Sequence, residues 1–159
     1  MTEAQVSAEE WDVWRSFITM RNHLDRTLER QLQSSGDISA ADYQVLIALF
    51  ESPEKQQRAR ELSSRIGWEK SRLSHQVTRM EKRGLLERTE CDTDARGTWI
   101  GLTPAGSRAI LSAMRGHQAA IRQYFFDILS SDEQETLKNA SLRVIDAIDP
   151  PACDEETEE

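Results

Sequence analysis

The chain has 159 residues, of which 38% are hydrophobic and 30% are charged, and its formal net charge is −8. This length fits one domain with a sizeable core, and it excludes a disulfide-stapled mini-protein and a large multidomain enzyme. Two cysteines, no apolar run near the ~20 residues of a membrane span and no secretory signal together predict a reduced, cytoplasmic protein.

The N-terminal part predicts two helices. In the first, Ala8 to Leu32, apolar residues recur at steps of mostly three and four, and a turn cluster with Gly36 ends it. The second runs from Ser39 to about Glu51, because Ser39 can cap the first free amides and Asp42 suits the positive end of the helix dipole. The first helix carries the apolar residues Trp11, Trp14, Phe17, Ile18, Leu24, Leu28 and Leu32.

Charge is distributed unevenly along the chain. Residues 58–88 hold nine bases and four acids, whereas residues 149–159 hold six acids and no base. Because local charge determines whether a surface attracts phosphate, the net charge of −8 does not exclude a nucleic-acid partner.

Two short helices follow in the basic segment. Residues 59–66 predict a third helix that Gly67 ends, and a fourth helix begins near Lys70 and ends at Gly84. Two short helices joined by a tight turn are typical of a helix-turn-helix. The fourth helix has an apolar stripe formed by Leu73, Val77 and Met80.

The rest of the fourth helix is polar, as a DNA-reading helix requires. Four long side chains suit guanine or adenine edges, and three hydroxyls suit phosphates. The alternative is a solvated face, because most charged helix faces are simply hydrated. The long side chains are Arg72, His75, Gln76 and Arg79, and the hydroxyls belong to Ser71, Ser74 and Thr78.

The C-terminal part predicts a hairpin and two helices. Residues 85–91 and 98–102 form strands around a polar turn. Thr103 and Pro104 begin a helix that runs to about Leu129, and Ser130 caps a last helix that Pro150 and Pro151 end. The acidic segment 150–159 is expected to be a disordered tail.

Several of these segments resemble the winged helix-turn-helix of the MarR family of bacterial regulators. The resemblance rests on Arg60–Trp68, Ser71–Ser74 and Met80–Leu86. Asp94–Arg96, followed by Leu102–Gly106, is similar to the wing signature of that family. The resemblance covers the whole chain except the acidic tail.

The resemblance implies a mainly α fold with a small β-wing. A winged helix-turn-helix at residues 37–103 would lie between dimerisation helices at residues 1–36 and 104–149. The expected function is that of a homodimeric transcriptional regulator on a roughly palindromic operator in double-stranded DNA, without enzymatic activity or cofactor. Arg96 would enter the minor groove, Asp94 would brace the wing, and a small anionic aromatic effector would release the DNA.

Two departures from the family pattern leave alternatives open. Glu69 stands where the family usually has a Ser or Thr cap. The wing is acidic, with Glu90, Asp92 and Asp94 against Arg96. The acidic wing favours a protein-interaction module without DNA binding, and a second alternative is a thiol redox sensor that uses Cys91.

The sequence gives no indication of a catalytic or metal site. His23, His75 and His117 lack the spacing of zinc ligands, and Cys91 and Cys153 form no metal motif. No nucleophile motif or phosphate loop is present. The pattern identifies no ligand-binding residues.

Overall fold

The computed structural model describes residues 5–36, 38–90 and 97–150. They divide into two units, Met1–Ala120 and Ile121–Glu159. The described part is mainly helical with a small sheet, which confirms the predicted fold class, and none of its helices is long and apolar enough to cross a membrane. The elements are α1 (Ala8–Gly36), α2 (Ala40–Phe50), β1 (Gln56–Arg58), α3 (Ala59–Ile66), α4 (Lys70–Lys82), β2 (Leu86–Glu90), β3 (Thr98–Leu102), α5 (Pro104–Ile121) and α6 (Ser131–Ile148).

Helix α2 forms the centre of the first unit. Its N-terminus is fixed by a reciprocal cap, in which Asp42 N donates to Ser39 Oγ at 3.0 Å and Ser39 N donates to Asp42 Oδ2 at 2.9 Å. The predicted cap is therefore confirmed. Helices α1, α3, α4 and α5 and strand β3 contribute apolar side chains to the core around α2, including Leu32, Leu62, Leu73, Val77, Met80, Ile100 and Ile110.

The sheet has three antiparallel strands in the order β1-β3-β2. Strands β2 and β3 pair with Leu86 opposite Leu102 and Arg88 opposite Ile100, which confirms the two predicted strands. On the other side of β3, Gln57 of β1 lies opposite Ile100. Strand β1 was not predicted, because its three polar residues have too short a pattern to indicate a strand.

The start of α5 packs closely on the end of the helix-turn-helix. Thr103 Oγ1 donates to the Gly84 carbonyl oxygen at 2.7 Å and accepts from Gly106 N at 3.0 Å. A Cβ atom at Gly106 would lie 2.1 Å from the carbonyl oxygen of Leu85. The predicted cap at Thr103 is confirmed, and the position of Gly106 requires a residue without a side chain.

The second unit differs from the predicted single helix up to Leu129. Helix α5 ends at Ile121, and Arg122–Phe126 form a π-helical turn in which Asp127 N donates to the Arg122 carbonyl oxygen at 2.8 Å. The wider turn interrupts the α-helical ladder at this point. Ser130 then caps α6 as predicted, and its hydroxyl accepts from Glu133 N at 3.4 Å.

Candidate nucleic-acid interface

Two residues fix the turn between α3 and α4. Gly67 ends α3 with φ of 68°, a left-handed conformation that favours glycine. Ser63 then holds Trp68 from both sides, because the Ser63 carbonyl oxygen accepts from Trp68 N at 3.0 Å and the Ser63 hydroxyl donates to the Trp68 carbonyl oxygen. Glu69 precedes α4 without a side-chain cap hydrogen bond, as expected for glutamate in the place of a Ser or Thr cap.

Helix α4 divides into a buried and an exposed face. Its buried face holds Leu73, Val77 and Met80, as the spacing predicts. This anchoring presents the polar face outward, where short hydroxyls and long basic side chains share one surface. The exposed members are Ser71, Arg72, Ser74, His75 and Arg79.

Arg72 is held in place by an aromatic ring. Its guanidinium carbon lies 4.0 Å from the centroid of the Trp68 ring, and Trp68 is itself buried in the turn. A guanidinium over an indole face is an attractive pairing. The Arg72 side chain, near the start of the exposed face, is therefore restrained by this ring contact.

Gln76 does not lie on the exposed face with its neighbours. Its side chain is buried, with 4% of the residue exposed, and Gln76 Nε2 donates to Asp42 Oδ1 at 2.6 Å. Gln76 Oε1 accepts a hydrogen bond from Arg79. Both ends of the amide therefore have partners inside the protein, and the expected adenine contact by Gln76 does not fit this geometry.

Thr78 is also bonded within the protein. Its hydroxyl donates to the Ser74 carbonyl oxygen at 2.9 Å and accepts from Arg88 Nη2 at 3.1 Å. Arg88, from β2, also donates to the Ser74 carbonyl oxygen at 3.1 Å and to Glu81. Arg88 thus links the sheet to α4, and the half-buried Thr78 hydroxyl, for which a phosphate contact was expected, takes part in this link.

Beside α4 lies a basic groove that was not predicted from the sequence. It is formed by α3, the start of α4 and the sheet, and has a volume of about 930 Å³. Four bases (Arg58, Arg60, Lys70 and Arg88) and one acid (Glu61) line it together with Ser64 and Ser74. The Arg58 guanidinium lies 5.5 Å from the Trp99 ring centroid. The surplus of bases in residues 58–88 was the signal for this groove.

Comparison with known proteins identifies the family. A family model described as the MarR family matches residues 36–97. Sco3205 of Streptomyces coelicolor, a MarR family transcriptional regulator solved in complex with DNA, is 36% identical, with 92% of this chain and 96% of that chain covered and a TM-score of 0.89. The chain belongs to the MarR family.

Two further transcriptional regulators from Streptomyces coelicolor, of which AbsC is a MarR family member, have a similar fold. AbsC is 30% identical, with 91% of this chain and 97% of that chain covered and a TM-score of 0.87. PcaV, solved in complex with its natural ligand, is 26% identical, with 93% and 99% covered and a TM-score of 0.70. This MarR-family chain is accordingly a DNA-binding transcriptional regulator and not an enzyme.

Some predicted residues of this MarR-family regulator lie outside the described part of the chain. These are Asp94 and Arg96 of the wing, together with Cys91 and Cys153. In residues 5–36, 38–90 and 97–150, no group of His, Cys, Asp or Glu side chains is arranged to hold a metal ion.

The first unit also holds a second cavity, of about 1000 Å³, between α1, α2, α5 and the start of α4. The rings of Tyr43 and His117 lie 4.3 Å apart at its wall. Burial lowers the pKa of His117, which leaves the ring neutral at neutral pH, and its buried Nδ1 has no hydrogen-bond partner among the described residues. The basic side chains at the wall are His23, Arg26, Arg30 and Arg72, and the acidic ones are Asp25 and Glu29.

Proposed function

We propose that this regulator acts in the cytoplasm as a homodimer on a roughly palindromic operator, with α4 of each subunit in a major groove. The observation that carries the proposal is the exposed face of α4, where Arg72, His75 and Arg79 project from a helix anchored on its opposite side. Arginine pairs with guanine O6 and N7 through two hydrogen bonds. Ser71 and Ser74 flank this row at positions suited to phosphate contacts.

The basic groove is proposed to receive the DNA backbone. Arg58, Arg60 and Lys70 line it next to the start of α4, and their charge supplies the phosphate attraction that the acidic wing lacks. By resemblance to the family, Arg96 would enter the minor groove and Asp94 would brace the wing. The groove also explains how a chain of net charge −8 binds a polyanion, since only the local charge meets the phosphates.

Selection from a randomised DNA library tests the α4 assignment. Arg72→Ala and Arg79→Ala should each relax base preference at separate operator positions, and each effect should recur at the symmetric position in the other half-site. Arg108→Ala removes the same charge from α5 and serves as the control. If both α4 variants lose affinity uniformly, with no position losing its preference, α4 is not the reading helix.

Dimerisation is proposed from apolar side chains that remain exposed. On α1, Trp11, Trp14 and Phe17 are each more than two-fifths exposed. On α6, Val144 and Ile148 are exposed as well. Large apolar side chains repeated along a helix face are unfavourable in water and indicate an interface, and a second copy of the chain is the occupant that a two-fold operator requires.

Light scattering measures this assembly directly. Full-length protein at micromolar concentration should have the mass of two chains. Trp14→Glu combined with Phe17→Glu should shift it to one chain, whereas Arg15→Glu on the same helix should not. A stable wild-type monomer under these conditions would refute the dimer.

We further propose that a small anionic aromatic effector binds in the cavity beside Tyr43 and His117. The unpartnered His117 Nδ1 offers a hydrogen bond, Tyr43 offers a ring surface, and Arg72 offers charge. Because Arg72 also begins the exposed face of α4, an anion that draws its guanidinium into the cavity would withdraw it from DNA.

Salicylate and its uncharged relative salicylamide provide a matched pair of probes. Salicylate should lower operator affinity, salicylamide should act more weakly, and His117→Phe should reduce the response to salicylate without weakening operator binding in its absence. An equal response of His117→Phe and wild type would rule out this cavity as the effector site.

A further inference from the structure

A buried carboxylate connects the start of α2 with the recognition helix. Asp42 is 2% exposed, and its two oxygens accept three hydrogen bonds. The donors are Ser39 N at 2.9 Å, Gln76 Nε2 at 2.6 Å and Arg83 Nη1 at 2.7 Å. Two of these donors belong to α4 or to its C-cap, so one side chain caps α2 and holds α4.

These partners keep the Asp42 carboxylate charged. Burial raises the pKa of Asp42, but the hydrogen bond and the positive charge of Arg83, together with the hydrogen bonds from the backbone and side chain of Ser39, lower it by more, so that its pKa lies below the ordinary value. A buried ionised carboxylate without such partners would be strongly unfavourable. At neutral pH the side chain is therefore a pure hydrogen-bond acceptor.

An acceptor at this place determines the direction of the Gln76 amide. An amide has a donor end and an acceptor end, and only the donor end, Nε2, can face the Asp42 carboxylate. The acceptor end, Oε1, must then face Arg79, and it accepts a hydrogen bond from Arg79 Nη2. The chain of contacts runs from a buried charge to an exposed guanidinium.

Arg79 is the outermost member of this chain. It is exposed on α4, one turn beyond Gln76. A guanidinium has five N–H donors in a planar fork, and the bond to Gln76 uses one of them. The hydrogen bond to Gln76 restricts the orientation of the Arg79 guanidinium, so its remaining donors can meet a base edge from fewer directions.

We propose that Asp42 and Gln76 form a positioning pair that aims the Arg79 guanidinium and thereby sets the base preference at the operator position that Arg79 contacts. The proposal rests on the proposed function, in which α4 lies in the major groove. It assigns specificity to two side chains that themselves have no access to DNA.

The decisive variant is Asp42→Asn. An asparagine keeps the shape of the side chain and one acceptor oxygen, but its amide can donate to Gln76 Oε1. The Gln76 amide can then turn over and present its N–H groups to Arg79, which has only donors. Arg79 loses its support, although it is still present and still charged.

The experiment is selection from a randomised DNA library with full-length wild type, Asp42→Asn and Arg79→Ala, followed by affinity measurements on single-base operator variants. One bidentate contact typically gives roughly 5- to 150-fold discrimination. Asp42→Asn should lower the discrimination at the Arg79 position by about tenfold, and the preference at the Arg72 position should be unchanged. A structural defect in α4 would instead weaken both positions.

A double variant tests the order of action. In the Arg79→Ala background, Asp42→Asn should cause no further loss of preference at that position, because the side chain it aims is already absent. Glu51→Gln is the control, since it removes the carboxylate at the C-cap of α2, whose partner is Arg65 at 2.7 Å rather than a residue of α4. It should leave every position unchanged.

Gln76→Met keeps the proposal testable if Asp42→Asn does not fold. Methionine fills a similar volume without either hydrogen bond and leaves Asp42 with Ser39 and Arg83, so the same operator position should lose its preference. If folded Asp42→Asn or Gln76→Met retains the wild-type preference there, the positioning pair is refuted. If wild type itself selects no sequence, the proposed function fails instead.

Discussion

Gly106→Ala should destabilise the protein, although alanine is the better helix former. The substitution gains at most about 1 kcal/mol of helix propensity. Against this gain, the new Cβ would lie 2.1 Å from the Leu85 carbonyl oxygen and 3.2 Å from Leu102 Cδ2. The first contact is with backbone, so no side-chain rotation relieves it, and the two segments must separate by about 1 Å or more to approach van der Waals distance.

The same carbonyl and its neighbours hold the start of α5. Thr103 N donates to the Leu85 carbonyl oxygen at 3.2 Å, and the Thr103 hydroxyl bridges Gly84 and Gly106. Overpacking typically costs about 1–3 kcal/mol, and a displaced hydrogen bond costs about 0.5–1.5 kcal/mol more. After subtraction of the helix gain, we expect a net loss of about 0.5–3.5 kcal/mol, or a Tm lowered by roughly 1–14 °C in a chain of this size.

Two other glycines supply controls with the same chemical change. At Gly116 a Cβ would meet the movable amide of Gln31 at 2.5 Å, and at Gly36 it would meet nothing within 4 Å. Thermal unfolding followed by circular dichroism, at equal protein concentrations, should rank Gly106→Ala well below Gly116→Ala, and Gly36→Ala near wild type or above it. If Gly106→Ala melts no lower than Gly116→Ala, the close approach at Leu85 does not constrain the fold.

The remaining predictions concern charge. Asp42→Asn should lower Tm at pH 7, and the difference in Tm from wild type should shrink as pH falls below about 4. The pKa of Asp42 is lowered in the folded protein, so its ionised side chain stabilises the fold above that pH, and this stabilisation is lost when the carboxylate is protonated. Melting curves recorded across this pH range measure the effect. Arg96→Ala should weaken operator binding by about 1–3 kcal/mol in gel-shift titrations, with Tm unchanged. Deletion of residues 151–159, which hold five acids and no base, should raise affinity for non-specific DNA because repulsion acts over ~8 Å at physiological salt; a large fall in Tm would contradict the expected disordered tail.

Local signals in the sequence predicted most of the fold. The caps at Ser39, Thr103 and Ser130 each depend on a residue only three positions away, so the sequence contains both partners in one short segment. Strand β1 has no such signal. Its pairing with β3 joins Gln57 to Ile100, and this distant partner, rather than the propensity of Gln56–Arg58, makes it a strand.

The burial of Gln76 could have been predicted from its spacing on α4. It lies three residues after Leu73 and four before Met80, which are the steps that define one helix face. The residue type suggested a base contact, whereas the period placed the side chain beside Val77 in the buried stripe. When the two disagree, the period is the better guide to burial, because it reflects helix geometry rather than chemical suitability.

Only one of the partners of Asp42 could be predicted from the sequence. Its cap with Ser39 follows from adjacent residues, but its bonds to Gln76 and Arg83 span 34 and 41 residues. An acid at the third position of a helix is explained completely by the cap, so nothing in the sequence requires a further partner. Burial changes this, because each oxygen of a carboxylate removed from water needs a hydrogen-bond partner. The side chains that meet this need belong to α4 and to its C-cap, and the requirement of a buried charge therefore fixes how α4 is held.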